Sequence, residues 1–450
     1  MKRTYFGTDG VRGRVGDALI NAPFLRRLAY AAGTVLKPAD ALRPTAVIGR
    51  DTRASGAMLA PAVSEGLMAA GWNVTWLGVA PTPAVSLATR ERGASLGVVL
   101  TASHNPASDN GIKFFSATGE KLSDAVELQI EAALPRADWT PSPIADGQVT
   151  PAEGGEEYMR SMTTLLPARS LEGWKIAFDG ANGATCGTTP GVLRALGADV
   201  VAIGCEPDGT NINAGVGSEH PERLAEQVKS SSARIGIAHD GDGDRVVLCD
   251  ETGSALDGDE VMTLLACDAL ERGTLEPRKV VMTVQSNLGV DAAVRAAGGE
   301  LVRCDVGDRY VAAAMKREGA VIGGESSGHF IFSKAGPTGD GLVAALEVLR
   351  VMIATGKPLS ELRGRLVRFP QATAAIRVRD KKPLEKCPVI GGTIAAAEAA
   401  LGAEGRVLVR YSGTEPKIRL LVESRSESGV SQWMAKLRAA VDSDLEPVRD

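Results

Sequence analysis

One pattern recurs three times along this 450-residue chain and constrains its fold more than any other feature. An apolar strand is followed by a short loop, a helical stretch rich in alanine, a glycine stop and a second apolar strand. It runs first through Thr45 to Ile48, Met58 to Ala70, Gly71 and Val74 to Leu77. It returns as Lys175 to Phe178, Val192 to Leu196, Gly197 and Val200 to Ile203, and again as Lys279 to Val284, Val290 to Ala297, Gly298 and Leu301 to Cys304. Each is a βαβ unit, in which a crossover helix makes the two strands parallel. The match lies in pattern rather than in letters, and it predicts three related α/β domains with mixed sheets.

The fourth region differs. After Phe369-Pro370 come a strand at Ala374 to Val378, a helix at Gly392 to Leu401, strands at Arg406 to Tyr411 and Ile418 to Glu423, and a helix near Val430 to Val441. That order predicts a smaller α+β domain. The chain is too long for one core, so several domains are required. The expected division is 1–154, 155–254, 255–368 and 369–450. Linkers are expected near Ala137 to Gly155, Glu251 to Gly258 and Phe369 to Gln371, the stretch Asp138 to Glu153 being rich in proline and glycine.

Composition narrows the function. A net charge of −5 gives no basic surface for nucleic acid or membrane. No run of eighteen apolar residues occurs, and Thr4 to Gly13 is polar and glycine-rich where a signal segment would be apolar. Cys186, Cys205, Cys249, Cys267, Cys304 and Cys387 are scattered without zinc or redox spacing, and read as reduced, mostly buried residues. A cytoplasmic enzyme is the expectation.

Chemistry concentrates in five runs. Asp240-Gly-Asp242-Gly-Asp244-Arg245 places three acids at alternate positions between two strands. The glycines let the backbone curl close to a ligand, and three like charges call for a hard divalent cation. A calcium EF-hand is excluded, because Arg245 stands where its sixth-position glycine is needed and strands flank the loop. Thr101-Ala-Ser103-His104-Asn105-Pro106 follows the strand Leu96 to Leu100, so Ser103 sits at a strand's carboxyl end, where open α/β sheets bind ligands. Alone this is an ordinary turn, because serine needs an activating partner. Gly324-Glu325-Ser326-Ser327-Gly328 fits the hydrolase elbow in form. The last histidine is His329, three residues after Ser326 with no acid between them, so no triad can be completed. Glu325 in such a loop can instead accept sugar hydroxyls. Arg410-Tyr-Ser412-Gly413-Thr414-Glu-Pro-Lys-Ile-Arg419 offers turn N–H groups and two arginines to an anion. Gly7-Thr8-Asp9-Gly10-Val11-Arg12-Gly13 adds an acid and an arginine near the start. Walker and Rossmann fingerprints are absent.

Taken in order, one per domain, T-A-S-H-N-P, D-G-D-G-D-R, G-E-S-S-G-H and R-Y-S-G-T-E-P-K-I-R resemble the phosphoserine, metal, sugar and phosphate loops of the α-D-phosphohexomutase superfamily. The resemblance spans essentially the whole chain. The opening F-G-T-D-G-V-R-G and the D-N-G-I-K-F-F run look most like the bacterial branch acting on glucosamine phosphates. Ala107-Ser108 and Ser326 depart from the family's usual letters, and Ser326 bears on the choice of sugar.

The resemblance implies four domains around a central cleft that closes on substrate. It implies an isomerase that interconverts glucosamine 6-phosphate and glucosamine 1-phosphate, supplying amino-sugar nucleotides and cell-wall precursors. Ser103 would be the phosphoserine. Mg²⁺ would be held by Asp240, Asp242, Asp244 and a phosphate oxygen on Ser103. Lys113 and His329, and more weakly His104, would transfer protons or stabilise charge, and Arg12 and Arg245 would face phosphate. Glu325 and Ser327 would hold ring hydroxyls. Arg410, Ser412, Gly413, Thr414 and Arg419 would anchor the phosphate that is not reacting. A hexosamine bisphosphate or glucose 1,6-bisphosphate would serve as activator, and a homodimer is compatible with the family. Glucose or mannose phosphates on the same scaffold are the alternative substrates. A metal-dependent phosphatase or a sugar-phosphate binding protein are the alternative activities.

Overall fold

The computed structural model describes residues 3–140, 147–412 and 416–445. The chain divides into two compact units, Met1–Ser286 with Val294–Arg365, and Asn287–Ala293 with Leu366–Asp450.

The first unit contains three mixed sheets. Strands β1 (Val11–Arg14), β2 (Thr45–Arg50), β3 (Asn73–Val79), β4 (Leu96–Leu100), β5 (Asp109–Ser116) and β6 (Val149–Pro151) form the first, in the order β1-β5-β4-β2-β3-β6. Strands β7 (Lys175–Asp179), β8 (Asp199–Ile203), β9 (Ile235–His239), β10 (Val246–Asp250) and β11 (Ala255–Leu256) form the second, in the order β11-β10-β9-β7-β8. The third is β13-β12-β14-β15, from β12 (Lys279–Thr283), β13 (Glu300–Cys304), β14 (Ile322–Gly324) and β15 (Phe330–Phe332).

The predicted βαβ pairs are parallel as expected: β2 with β3, β7 with β8, and β12 with β13. Their crossovers contain the helices Ala54–Ala69, Thr189–Ala195 and Leu288–Ala296. The three glycine stops, Gly71, Gly197 and Gly298, have φ of 86°, 101° and 81°, the left-handed backbone that a Cβ disfavours. All three sheets share one four-strand order, β5-β4-β2-β3, β10-β9-β7-β8 and β15-β14-β12-β13. In each, the first strand of that order runs antiparallel to the second. The turn joining those two strands carries Ser103 in the first sheet, the three aspartates in the second, and Glu325 to His329 in the third. Equivalent corners of three related sheets thus supply the candidate chemistry.

Two expected linkers are structured. Val149–Pro151 pairs in parallel with β3 as an edge strand, and residues 141–146 of that stretch lie outside the described residues. The Glu251 to Gly258 stretch makes the two-residue strand β11 against β10, and Asp257 then caps the helix Gly258–Glu271 in a capping box with Glu260. A two-residue strand is too short for alternation to reveal.

The second unit holds β16 (Gln371–Arg377), β17 (Gly405–Tyr411) and β18 (Lys417–Ser424) in the antiparallel order β16-β18-β17. The helices Pro388–Leu401 and Glu427–Asp444 cover it over Ile390, Ile418, Leu420, Leu437 and Val441.

Candidate active site

Ser103 occupies a turn that is fixed before it meets the acidic loop. Its φ is 53°, a left-handed conformation that costs a non-glycine residue about 1–2 kcal/mol. Hydrogen bonds hold it there. The Ser103 N–H donates to Thr101 Oγ1 at 2.8 Å, and its carbonyl accepts from Arg53 Nη2 at 3.0 Å and Asn213 Nδ2 at 2.8 Å. Arg53 is fully buried, pairs with Asp51 at 2.8 Å, and also donates to the carbonyls of Asn105 and Asp109. The turn therefore aims its hydroxyl across the sheet boundary, and Oγ donates to Asp240 Oδ2 at 2.5 Å. His104 Nδ1 lies 3.3 Å from the same Oγ, and burial lowers the His104 pKa.

The alternate glycines do what the spacing required. A Cβ on Gly241 would stand 2.7 Å from the Ser103 carbonyl oxygen, so any larger residue would push the two loops apart. Asp240, Asp242 and Asp244 are buried, and each offers a carboxylate oxygen within 4.8 Å of the others. Burial raises the Asp240 pKa, and the charges of Asp244 and Asp242 raise it further. Asp242 Oδ1 and Asp244 Oδ1 are buried without a hydrogen-bond partner. Orphaned carboxylate oxygens are costly, and an all-oxygen donor set suits a hard cation such as Mg²⁺. These residues fit a metal.

A ring of ion pairs, closed by a histidine, surrounds that site. Lys113 Nζ lies 2.8 Å from Asp242 Oδ2, 3.0 Å from Asp244 Oδ2 and 2.9 Å from Asp9 Oδ2. Asp9 pairs onward with Lys121, and Lys121 with Asp308. His329 Nε2 lies 3.6 Å from Asp308 Oδ2 and 4.0 Å from Asp244 Oδ2. The order Asp244, Lys113, Asp9, Lys121, Asp308, His329 returns to Asp244 through residues on or beside all three sheets. Burial alone would lower the Lys113 pKa, but Asp242, Asp244 and Asp9 outweigh it and raise the value well above the usual lysine range. Lys113 is thereby held as an ammonium, which suits charge stabilisation rather than base catalysis.

The flanking arginines are placed by backbone contacts. Arg12 pairs with Asp9 and donates to the Ala102 carbonyl at 3.3 Å. Arg245 donates its N–H to Asp240 Oδ1 at 3.2 Å, and its guanidinium lies 3.6 Å from Glu219. Residue 245 forms a β-bridge with residue 329, so the acidic loop and the Glu325 turn are joined main chain to main chain. Glu325 Oε1 accepts the Gly307 N–H at 3.0 Å, while Ser327 is exposed at the tip of its turn. In the second unit, Ser412 is buried and Arg410 stands directly opposite Arg419 on β17 and β18. Gly413 and Thr414 lie outside the described residues.

Sequence reading brought Ser103, Lys113, the three aspartates, His329, Arg12 and Arg245 into view, and they meet. It did not single out Lys121, Asp308 or Thr82, whose hydroxyl donates to Asp242 Oδ2 at 2.7 Å. Asp308 follows the carboxyl end of β13, so the strand-end rule contained a signal for it. Lys121 carries none, because its partners come from residues far along the chain.

A hydroxyl bonded to one carboxylate of a buried cation site, ringed by lysine and arginine, has the parts of a metal-assisted phosphoryl-transfer centre. Comparison with known proteins narrows the class. Models of the phosphoglucomutase/phosphomannomutase alpha/beta/alpha domains I, II and III match residues 3–140, 156–253 and 257–369, and that of its C-terminal domain matches 374–440. The chain is 44% identical to a phosphoglucosamine mutase of Variovorax paradoxus, over all of both chains. It is 46% identical to one of Thioalkalivibrio sulfidiphilus, over 98% of this chain and 99% of that one. The fold is that of a phosphoglucomutase/phosphomannomutase family protein of Burkholderia thailandensis, with TM-score 0.82, 24% identity and 97% of each chain covered. It is also that of Aspergillus fumigatus N-acetylphosphoglucosamine mutase, solved with GlcNAc-6P and magnesium, with TM-score 0.64, 17% identity, and 98% of this chain and 96% of that one covered. The chain belongs to the phosphoglucosamine mutase family of the α-D-phosphohexomutase superfamily.

Proposed function

We propose that this chain is an isomerase interconverting glucosamine 6-phosphate and glucosamine 1-phosphate, with Ser103 as phosphoryl carrier. The observation that carries the reading is the Ser103 hydroxyl at 2.5 Å from Asp240, within a site of three buried carboxylates. Asp240, Asp242 and Asp244 would hold Mg²⁺, which when bound offsets charge on the phosphoryl group and its leaving oxygen. Lys113, Arg12 and Arg245 add fixed positive charge around the same group. The phosphoryl on Ser103 passes to the 1-hydroxyl of glucosamine 6-phosphate, and His329 takes the hydroxyl proton. The bisphosphorylated sugar then turns over and returns its 6-phosphoryl to Ser103.

Glu325 and Ser327 hold ring hydroxyls, which serve in both orientations. Arg410, Ser412, Gly413, Thr414 and Arg419 bind the phosphate that is not reacting. A hexosamine bisphosphate or glucose 1,6-bisphosphate loads Ser103 for the first turnover. The four divisions 1–154, 155–254, 255–368 and 369–450 assign one loop to each part.

The test is a panel of hexose 6-phosphates with Mg²⁺, read for the 1-phosphate and for inorganic phosphate. Glucosamine 6-phosphate is expected to give the highest kcat/KM with phosphate conserved. A higher kcat/KM for glucose or mannose phosphate would overturn the sugar assignment. Release of inorganic phosphate in step with substrate loss would overturn the mutase reading in favour of a phosphatase.

A further inference from the structure

Cys186 and Cys205 are distant from each other in the sequence pattern but meet at one point beside the acidic loop. Cys186 lies in the short 3-10 turn Ala184–Gly187, and Cys205 follows β8. A Cβ built on Gly180 would stand 2.7 Å from Cys186 Sγ and 2.8 Å from Cys205 Sγ. Only the bare Cα of glycine leaves room for both sulfurs. Cys186 Sγ donates to the Gly204 carbonyl at 3.4 Å, in the residue before Cys205. The nearness of the two sulfurs raises the Cys186 pKa and lowers that of Cys205. Both residues are half-buried, so a small oxidant can reach them. Closing an S–S bond of about 2.05 Å from this contact draws the turn that carries Cys186 toward Cys205.

The residues leading into Cys186 support the metal loop. Ala184 donates its N–H to the Gly241 carbonyl at 2.9 Å. A Cβ on Gly183 would stand 2.4 Å from that same oxygen, and one on Gly243 would stand 2.4 Å from the Thr185 methyl group. The preceding Ala181 and Asn182 are both left-handed, with φ of 55° and 49°. Two consecutive non-glycine residues in that conformation leave the turn little freedom to absorb a displacement.

We propose that Cys186 and Cys205 form a peroxide-sensitive dithiol, whose oxidation to a disulfide pulls the 183–185 segment off the Asp240–Asp244 loop and lowers Mg²⁺ binding and turnover. The chemistry balances with a hydroperoxide as oxidant. The Cys205 thiolate attacks one peroxide oxygen, the O–O bond breaks, and hydroxide or alkoxide leaves, giving a sulfenic acid. The Cys186 sulfur then attacks the Cys205 sulfur. The S–S bond forms as the S–O bond breaks, and the departing hydroxide takes the Cys186 proton as water. Two thiols lose two electrons and two protons, and the peroxide takes them up.

The experiment exposes the full chain to hydrogen peroxide. It reads intact mass, non-reducing peptide maps, Mg²⁺ affinity by calorimetry, and turnover. The expected result is a loss of two hydrogens, a linked peptide pair containing Cys186 and Cys205, and a severalfold fall in Mg²⁺ affinity and turnover. Dithiothreitol should reverse all of it. Cys186→Ser and Cys205→Ser should each keep basal turnover and lose the sensitivity, while Cys304→Ser should stay as sensitive as the parent. Absence of the linked pair, or a linked protein with undiminished Mg²⁺ affinity and turnover, would overturn the proposal. So would equal inactivation of both serine variants. Because mass and metal affinity are read apart from the sugar reaction, failure here is distinguishable from failure of the mutase reading.

Discussion

The hydroxyl of Ser103 donates to Asp240 Oδ2 at 2.5 Å, although the two residues belong to different sheets. Arg53 and Asn213 fix the serine turn by its carbonyl, and the glycine at position 241 lets the acidic loop approach within contact. The serine turn and the acidic loop are therefore brought together by backbone packing, not by a shared loop.

The acidic loop should be held back by its own charge when no cation is bound. Asp240→Asn removes one of three buried like charges. It should lower Mg²⁺ affinity by about tenfold or more, while its Tm in chelator equals or exceeds that of the parent. Thermal melts with chelator and with Mg²⁺ check this. An equal Mg²⁺-induced rise in Tm for both proteins would contradict it.

Lys121 should be a stabilising link between Asp9 and Asp308. It is mostly buried and pairs with both. Lys121→Met leaves two carboxylates facing a missing cation and should cost roughly 3 kcal/mol of unfolding free energy. Adding Asp308→Asn should recover part of that loss. Denaturant unfolding of the single and double variants measures the coupling.

Asp340 gives a stability term with a defined pH window. It caps the helix Gly341–Thr355, accepts from Tyr158 Oη at 2.8 Å, and burial raises its pKa to about 6. A raised carboxyl pKa means that the folded protein keeps the proton after the unfolded chain has released it. Stability from this group is therefore intact near pH 4 and falls as pH rises through about 6. Asp340→Asn keeps the accepting oxygen and removes the charge. It should match the parent near pH 4 and exceed it by up to roughly 3 kcal/mol above pH 7. A difference in unfolding free energy that does not change with pH would contradict the assignment.

Arg419 should matter for binding rather than for phosphoryl transfer. It stands opposite Arg410 on the neighbouring strand. Arg419→Ala should weaken substrate binding by about one to two powers of ten through loss of a charge-assisted contact. Mg²⁺ affinity and Ser103 phosphorylation should be unchanged. Calorimetric titration and intact mass separate the two.

The parts of the fold legible in sequence were those with a local period. The three parallel pairs followed from apolar runs and glycine stops, and the aspartate loop followed from its alternate acids. What escaped depended on length or on partners. Ala255–Leu256 and Val149–Pro151 are too short to show alternation. Lys121 looks like any charged turn residue until Asp9 and Asp308 arrive from other parts of the chain. Cys186 and Cys205 read as separate buried thiols because nothing in their spacing reveals that Gly180 brings them together.

The central claim is that the phosphoryl group travels through Ser103, and one chase experiment tests it most directly. Enzyme carrying a radiolabelled phosphoryl on Ser103 is mixed with unlabelled glucosamine 6-phosphate and Mg²⁺, and the label is followed over single turnovers. The account predicts that label leaves the protein at the rate of turnover and appears in sugar phosphate, with none in inorganic phosphate. It predicts that Ser103→Ala takes up no label and does not turn over. Label that stays on Ser103 while unlabelled product forms at full rate would contradict it.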